Sequence, residues 1–155
     1  FGLVGMAERF WGWEAPKDFG SLDMDFGFTL LDTNFQKGPN KDNELPYAPN
    51  WHLTWGINYK HPKGFYTNLN AEWVDEQYSS GNNSRVESAN GGTGPIPSYK
   101  VWNMNLGYKF NENYEVFFAI KNLFDEKYFT RRETFFTGIT PSPDRQLYGG
   151  VKVKF

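Results

Sequence analysis

The chain has 155 residues, of which 39% are hydrophobic by a broad count and 19% aromatic, and its 16 basic and 18 acidic side chains leave a net charge of -2. That balance offers no concentrated basic face for nucleic acid, the absence of cysteine excludes a disulfide framework or thiolate metal site, and no run approaches the ~20 apolar residues of a membrane helix. Mean hydropathy is polar, at -0.67, which still leaves room for a membrane barrel, because its lipid-facing residues alternate with polar lumen-facing ones.

The sequence opens at Phe1 with no initiator Met and no basic-then-apolar leader. A signal peptide, if one exists, is therefore expected upstream or already removed. A first, weakly alternating strand is predicted over about Gly2 to Trp13, followed by a short link from Glu14 to Phe19. Leu22, Met24, Phe26, Phe28 and Leu30 then alternate with Ser21, Asp23, Asp25, Gly27 and Thr29. Successive side chains of a strand point to opposite faces, so this stretch carries one apolar and one polar face. A long link follows, from about Phe35 to Pro49. Trp51 to Lys60 repeats the pattern, with Trp51, Leu53, Trp55, Ile57 and Tyr59 on one side and His52, Thr54, Gly56, Asn58 and Lys60 on the other.

His61-Pro62-Lys63-Gly64 reads as a tight turn into a strand with Phe65, Thr67, Leu69, Ala71 and Trp73 on its apolar side. A polar loop from about Ser79 to Ser98 precedes the next strand, marked by Trp102, Met104, Leu106, Tyr108 and Phe110. Asn111-Glu112-Asn113 is a second tight turn. Val116, Phe118 and Ile120 face away from Glu115, Phe117, Ala119 and Lys121, and a long loop covers about Asp125 to Asp144. Leu147, Gly149, Val151, Val153 and Phe155 alternate with Tyr148, Gly150, Lys152 and Lys154 in a last strand.

Short and long links alternate, so an up-and-down antiparallel sheet would carry tight turns at one end and long loops at the other. That asymmetry fits outer-membrane barrels, with short periplasmic turns and long extracellular loops. Runs of roughly 9 to 13 residues also match a tilted membrane-crossing strand better than the ~5 to 6 usual in soluble sheets. Trp51, Tyr59, Trp73, Trp102, Phe110 and Tyr114 lie toward the strand ends, where interfacial aromatic girdles belong. The expected fold is therefore all-β, an antiparallel up-and-down transmembrane β-barrel of which about seven strands are visible. Seven is odd, and an open edge in lipid leaves backbone groups unpaired, so further strands are expected beside these.

Two further architectures fit the alternation. One is a complete eight-stranded outer-membrane barrel with a structural or adhesion role, its interior filled by side chains. The other is a soluble ligand-binding barrel with the aromatic faces turned inward.

Ile120-Lys121-Asn122-Leu123-Phe124-Asp125-Glu126-Lys127-Tyr128 resembles the N-L-F-D-x-x-Y run of TonB-dependent receptors, and the loop Gly138 to Arg145 with Pro141-Ser142-Pro143 resembles the segment that follows it. Leu45-Pro46-Tyr47-Ala48-Pro49 is similar to the L-P-x-x-P lead-in of these receptors, and Phe28-Thr29-Leu30-Leu31-Asp32 to their Y-T-x-x-D run. Trp73 to Tyr78 looks most like ferric-dicitrate-type members. The resemblance implies a 22-stranded barrel, with residues 1–155 as its C-terminal part and without the plug domain, and uptake of a ferric siderophore or ferric citrate across the outer membrane of a Gram-negative bacterium. It implies a TonB complex that would act through a plug, no cofactor, and no enzyme activity. The C-terminal Tyr148, Gly150, Val151, Val153 and Phe155 look like the signal read by the barrel-assembly machinery.

Arg85, Arg131, Arg132 and Arg145 fall in or beside the long loops. Guanidinium forks match carboxylates, which makes these four the expected contacts to an anionic ferric chelate. Solvated loops or contacts to lipopolysaccharide phosphates would place arginines there equally well. His52 and His61 sit on different elements with no third ligand in reach by pattern, so no metal site is expected. Asp23 and Asp25 share the polar face and are expected to hydrogen-bond across the interior. No Gly-x-Ser-x-Gly, phosphate loop or metal-spaced His/Glu set is present.

Overall fold

Aromatic and β-branched side chains at every second position favour an extended chain, because they pack on a pleated, half-buried surface. The computed structural model describes residues 8–14, 20–133 and 138–155. These residues form eleven strands and no helix: β1 (Glu8–Glu14), β2 (Ser21–Leu30), β3 (Trp51–Lys60), β4 (Phe65–Val74), β5 (Gln77–Tyr78), β6 (Pro95–Ile96), β7 (Tyr99–Lys109), β8 (Tyr114–Lys121), β9 (Phe129–Glu133), β10 (Gly138–Pro141) and β11 (Gln146–Val153). Seven of them build one sheet in the order β1-β2-β3-β4-β7-β8-β11. Every pairing in it is antiparallel and joins successive long strands. β1 and β11 are its two edges and do not pair with each other, so the sheet is an open wall.

The expected strands match these elements closely. The first begins at Glu8, and Gly2 to Ala7, like most of the following link, lie outside the described residues. Its poor alternation has a physical reason: the β1–β2 register shifts between Phe10 and Trp13, so the period of two is broken there.

From β2 to β11 the register keeps one face mainly apolar and the other mainly polar. Met24, Ile57, Leu69, Met104, Ile120 and Leu147 form one continuous cross-strand row. Asp25, Gly56, Asn70 and Asn103 form the adjacent row on the opposite face. A one-residue slip at any pairing would exchange the two faces. Nothing in the described chain covers the apolar face: Phe26 is 46% exposed and Val151 68%. A large uncovered apolar surface on a sheet of this strand length is what a hydrocarbon layer requires.

The polar face is fastened to itself. Asn58 Nδ2 donates to Asp25 Oδ2 (2.8 Å), Asn68 Nδ2 to Asn58 Oδ1 (2.7 Å), Asn70 Nδ2 to Asn68 Oδ1 (2.8 Å) and Asn103 Nδ2 to Asn70 Oδ1 (3.0 Å). Asn105 Nδ2 adds a branch to Asn68 Oδ1 (3.1 Å), and Asn103 Oδ1 accepts the Asn122 backbone N–H (3.0 Å). The carboxamide has a donor and an acceptor end, so it can relay from strand to strand where a one-way group could not. Lower on the same face, the Tyr66 ring lies across Gly107, where an added Cβ would fall 2.1 Å from the ring. The Tyr66 hydroxyl donates to Glu115 Oε1 at 2.6 Å.

The tight turns are set locally. The His61 N–H donates to Phe65 O (2.7 Å) and the Gly64 N–H to His61 O (3.0 Å), while His61 Nδ1 accepts from the Lys63 N–H (3.0 Å). Asn111 Oδ1 accepts from the N–H groups of Asn113 and Tyr114. The long segments between strands all leave from the other end.

Placing Leu69→Arg in the middle of the apolar row should destabilise the membrane-embedded sheet by about 2–4 kcal/mol. Thr54→Arg, exposed on the polar side opposite Glu72 and outside the amide chain, should cost far less. Urea titration of the heat-modifiable folded form in lipid vesicles measures both, and equal losses would contradict the orientation.

Candidate functional site

Three long segments, 31–50, 75–98 and 122–145, share the end opposite the tight turns. They pack into a cap, and most of the buried residues lie there. Ile96 is fully buried, with Val74, Val101, Gln77, Asn122 and Arg132 also buried at this end. β5 pairs with β6, and β9 with β10, giving the cap two small sheets of its own.

Tyr47 ties all three segments together. Its backbone N–H donates to Tyr78 O (2.8 Å) and its hydroxyl to Arg132 O (2.8 Å). It holds a positive φ of 58°, in the left-handed region that a bulky residue occupies only when its surroundings hold it there. Asn83 closes the same joint from the second segment: its Oδ1 accepts the Glu44 N–H (2.7 Å) and its Nδ2 donates to Glu44 O (2.9 Å).

Arg132 is the centre of the cap. Its side chain is fully buried. Nε donates to Pro95 O (2.9 Å), Nη1 to Gly91 O (2.9 Å) and Nη2 to Glu87 Oε1, and the guanidinium lies 4.9 Å from the Phe129 ring centre. A planar five-donor fork can serve three acceptors in fixed directions, which an ammonium cannot. Its donors are committed to the loop 75–98, so Arg132 organises the cap instead of presenting a free cation.

Asn122 holds the exit from β8. It adopts φ 53°. Its Oδ1 accepts the Glu126 N–H (2.8 Å), and its Nδ2 donates to Glu126 O (2.9 Å) and Pro143 O (3.3 Å). Asp125 Oδ1 accepts the Arg145 N–H (2.9 Å), and Lys127 Nζ bridges Asp125 Oδ2 (3.2 Å) and Asp144 Oδ1 (2.6 Å). The Asn-Leu-Phe-Asp run is thus architectural, since Asn122 and Asp125 lash the two ends of the last long segment together. The Arg145 N–H, followed by the Lys127 ammonium, holds the Asp125 carboxyl below the ordinary carboxylate range, while Asp144, followed by Asp125, raises Lys127.

The four arginines share the long-loop end but not one cluster. Arg131, next to Arg132 but on the other side of β9, is exposed, with Nε 2.6 Å from Glu133 Oε1. Arg85 is exposed beside Glu76 (2.9 Å) and over the Tyr78 ring. Arg145 is exposed and in no salt bridge among the described residues, its charge acting at longer range on the Asp125 carboxylate that its backbone N–H also binds. Nothing described joins one of these arginines to another. The segment 122–145 also contains residues 134–137, which lie outside the described residues.

Below the cap, His52 Nε2 sits 2.9 Å from Glu72 Oε1 without hydrogen-bond alignment, and His61 is spent on its turn. Of the C-terminal residues, Tyr148 and Gly150 lie on the polar side, with Gly150 beneath the Phe117 ring, and Val151 and Val153 lie on the apolar side. Phe155 is fully exposed past the end of β11.

A family model described as TonB dependent receptor-like, beta-barrel, matches residues 3–123. Among solved structures, the ferric citrate transporter FecA in its unliganded form is 29% identical over 86% of this chain and 21% of its own, with a TM-score of 0.79. The siderophore receptor PiuA from Acinetobacter baumannii is 21% identical over 97% and 21%, with a TM-score of 0.76. The ferric yersiniabactin uptake receptor FyuA from Yersinia pestis is 17% identical over 92% and 22%, with a TM-score of 0.72. The last two likenesses are of fold alone. The chain spans about a fifth of the length of each of these proteins.

Arg132→Lys should leave the sheet folded and open the cap. Loss of the fork leaves buried acceptors unmet at about 1–3 kcal/mol, raising proteolysis within 75–98 roughly tenfold. Wild-type-like resistance would contradict the role given to Arg132.

The Asp125 tie has a defined pH dependence. A depressed folded-state pKa stabilises above the ordinary carboxylate value, and the stabilisation is lost as pH falls through the folded value. The stack of Tyr128 on Tyr99 (4.6 Å) should thus persist at neutral pH and loosen only below the ordinary Asp range of about 3.9. Asp125→Asn should lack the tie already at pH 7. Near-UV circular dichroism follows both, and identical acid profiles would contradict the tie.

Proposed function

We propose that this chain, which belongs to the TonB-dependent receptor-like β-barrel family, forms the C-terminal wall of a receptor that takes up a ferric chelate across the outer membrane of a Gram-negative bacterium. The family is one of receptors, not of enzymes. On this reading residues 1–155 supply barrel strands and extracellular loops, and the TonB complex acts through a plug outside this sequence. The barrel-assembly machinery would read β11 through Tyr148, Gly150, Val151, Val153 and Phe155.

Ferric citrate is the preferred chelate. The observation that carries this is the rim itself: Arg85, Arg131 and Arg145 stand exposed around a cap that Arg132 holds rigid. The likeness to a ferric citrate transporter at 29% identity supports the choice. A citrate complex displays carboxylates, which guanidinium forks bind bidentately. Arg145 offers the least encumbered fork, whereas Arg131 and Arg85 would have to loosen Glu133 and Glu76. Arg132 contributes by fixing the loop that carries Arg131.

Ferric citrate titrated into the intact receptor carrying this chain should quench its tryptophan fluorescence saturably. Arg145→Ala and Arg131→Ala should each weaken binding about ten- to a hundredfold, the loss of one charge-assisted hydrogen bond of about 1.5–3 kcal/mol. Saturable binding of a catecholate chelate but not of ferric citrate would reassign the substrate. Affinity indifferent to both substitutions would remove these arginines from the site.

A further inference from the structure

One turn of the cap combines a reactive dipeptide with a structural duty. Asn90-Gly91 is the one Asn-Gly pair in the sequence. Glycine sets no Cβ beside the backbone nitrogen that can attack the preceding asparagine side chain. Asn90 is exposed, so water reaches its amide. The same dipeptide also completes the clip around the buried cation, because Gly91 O accepts from Arg132 Nη1 (2.9 Å).

In the closed cap both reacting groups are held. The Gly91 N–H donates to Ser88 O (2.8 Å). Asn90 Oδ1 accepts from Ser88 Oγ (2.7 Å) and from the Gly92 N–H (3.1 Å). Ser88 Oγ in turn accepts the Thr93 N–H (3.0 Å), and the Ser88 N–H donates to Thr93 O (3.2 Å). Ring closure requires the Gly91 nitrogen to lose its proton and turn its lone pair onto Asn90 Cγ. That proton is bonded to Ser88 O, Asn90 Oδ1 is pinned by two donors, and Arg132 fixes the far side of the Gly91 peptide. Opening the cap frees all three together.

We propose that Asn90 is a deamidation site gated by the Arg132 clip, which converts to aspartate and isoaspartate when the cap opens. Hydroxide removes the Gly91 amide proton, the nitrogen attacks Asn90 Cγ, and the bond from Cγ to Nδ2 breaks with release of ammonia. Water then opens the resulting succinimide at either carbonyl, giving aspartate or isoaspartate. Isoaspartate routes the backbone through the former side chain and adds a methylene to it. The closed cap has no room for that. A Cβ on Gly91 would fall 3.3 Å from Gly138 Cα, and one on Gly138 would fall 2.8 Å from Asn90 O. Gly91 O therefore cannot return to Arg132, and the modification records cap opening irreversibly. It depends on the cap alone, so it stands or falls separately from the identity of the chelate.

Peptide mapping by mass spectrometry, with enzymatic methylation to label isoaspartate, tests this on the intact receptor in outer-membrane vesicles. Ring closure is far slower than loop opening, so its rate follows the population of the open form. Asn90 should deamidate at least tenfold more slowly in the folded receptor than in urea. Arg132→Lys should raise the folded-state rate roughly tenfold, in step with the open population. Ser88→Ala, which removes the hydroxyl bonded to Asn90 Oδ1 and the Thr93 N–H, should raise it severalfold with the sheet intact. The rate should climb severalfold between pH 7 and pH 9, as attack through a deprotonated nitrogen demands. Equal rates in folded and unfolded receptor would overturn the proposal. So would an unchanged Asn90 rate in Arg132→Lys while proteolysis within 75–98 rises, which leaves the clip standing and removes the gate. If Arg132→Lys resists protease like the wild type, Ser88→Ala decides, and a wild-type rate there overturns the gate.

Discussion

The carboxamide relay from Asp25 through Asn58, Asn68 and Asn70 to Asn103 sets the direction in which the wall faces. Each such hydrogen bond contributes only about 0.5–1.5 kcal/mol net. Its larger effect is exclusion. Any register that turned these amides toward hydrocarbon would strand several polar groups at several kcal/mol each, while the row Met24–Ile57–Leu69–Met104–Ile120–Leu147 would face water. Both faces demand the same register, so each pairing confirms its neighbours, and the consistency extends to the β11 edge.

The cap inverts the usual relation between scaffold and loops. In the wall most side chains stay partly exposed; the fully buried ones, Ile96 and Arg132, belong to the long connecting segments. The cap therefore behaves as a small structural unit with its own apolar centre, its own two-stranded pairs and a buried cation. The buried Arg132 satisfies two carbonyls and reaches out to one solvent-exposed carboxylate, and Tyr47 and Asn83 join segments far apart in sequence. That rigidity is what makes an exposed neighbour such as Arg131 useful, since a recognition group must be held by something that does not move with it.

Much of the wall was legible because period-two alternation is a strong signal and because a tight turn such as His61-Pro62-Lys63-Gly64 announces itself. The sharing of the polar face by Asp23 and Asp25 was legible for the same reason, and Asp25 does hydrogen-bond across it. The cap was not. β5, β6, β9 and β10 have two to five residues each, too few to show a period. Arg131 and Arg132 are adjacent and chemically identical, and only the strand direction of β9 decides which faces the buried acceptors. Asn122 was visible as part of a family-like run, but its purpose, closing the segment with Asp125, depends on Pro143 and Arg145 some twenty residues away.

The meander also orders events in time. Each long strand pairs only with the long strand before or after it, so the wall needs no distant chain closure. The β3–β4 and β7–β8 turns close loops of a few residues, and hairpins of this kind form in about 1–10 μs. Joining β4 to β7 means closing the longer 75–98 segment, whose entropic cost grows only logarithmically with length. Hairpins from the tight-turn end are thus the natural nuclei, and zippering travels from that end toward the other. The Arg132 clip needs residues 87, 91, 95 and 129 in place together, so it belongs to the last step and acts as a latch on a wall already assembled.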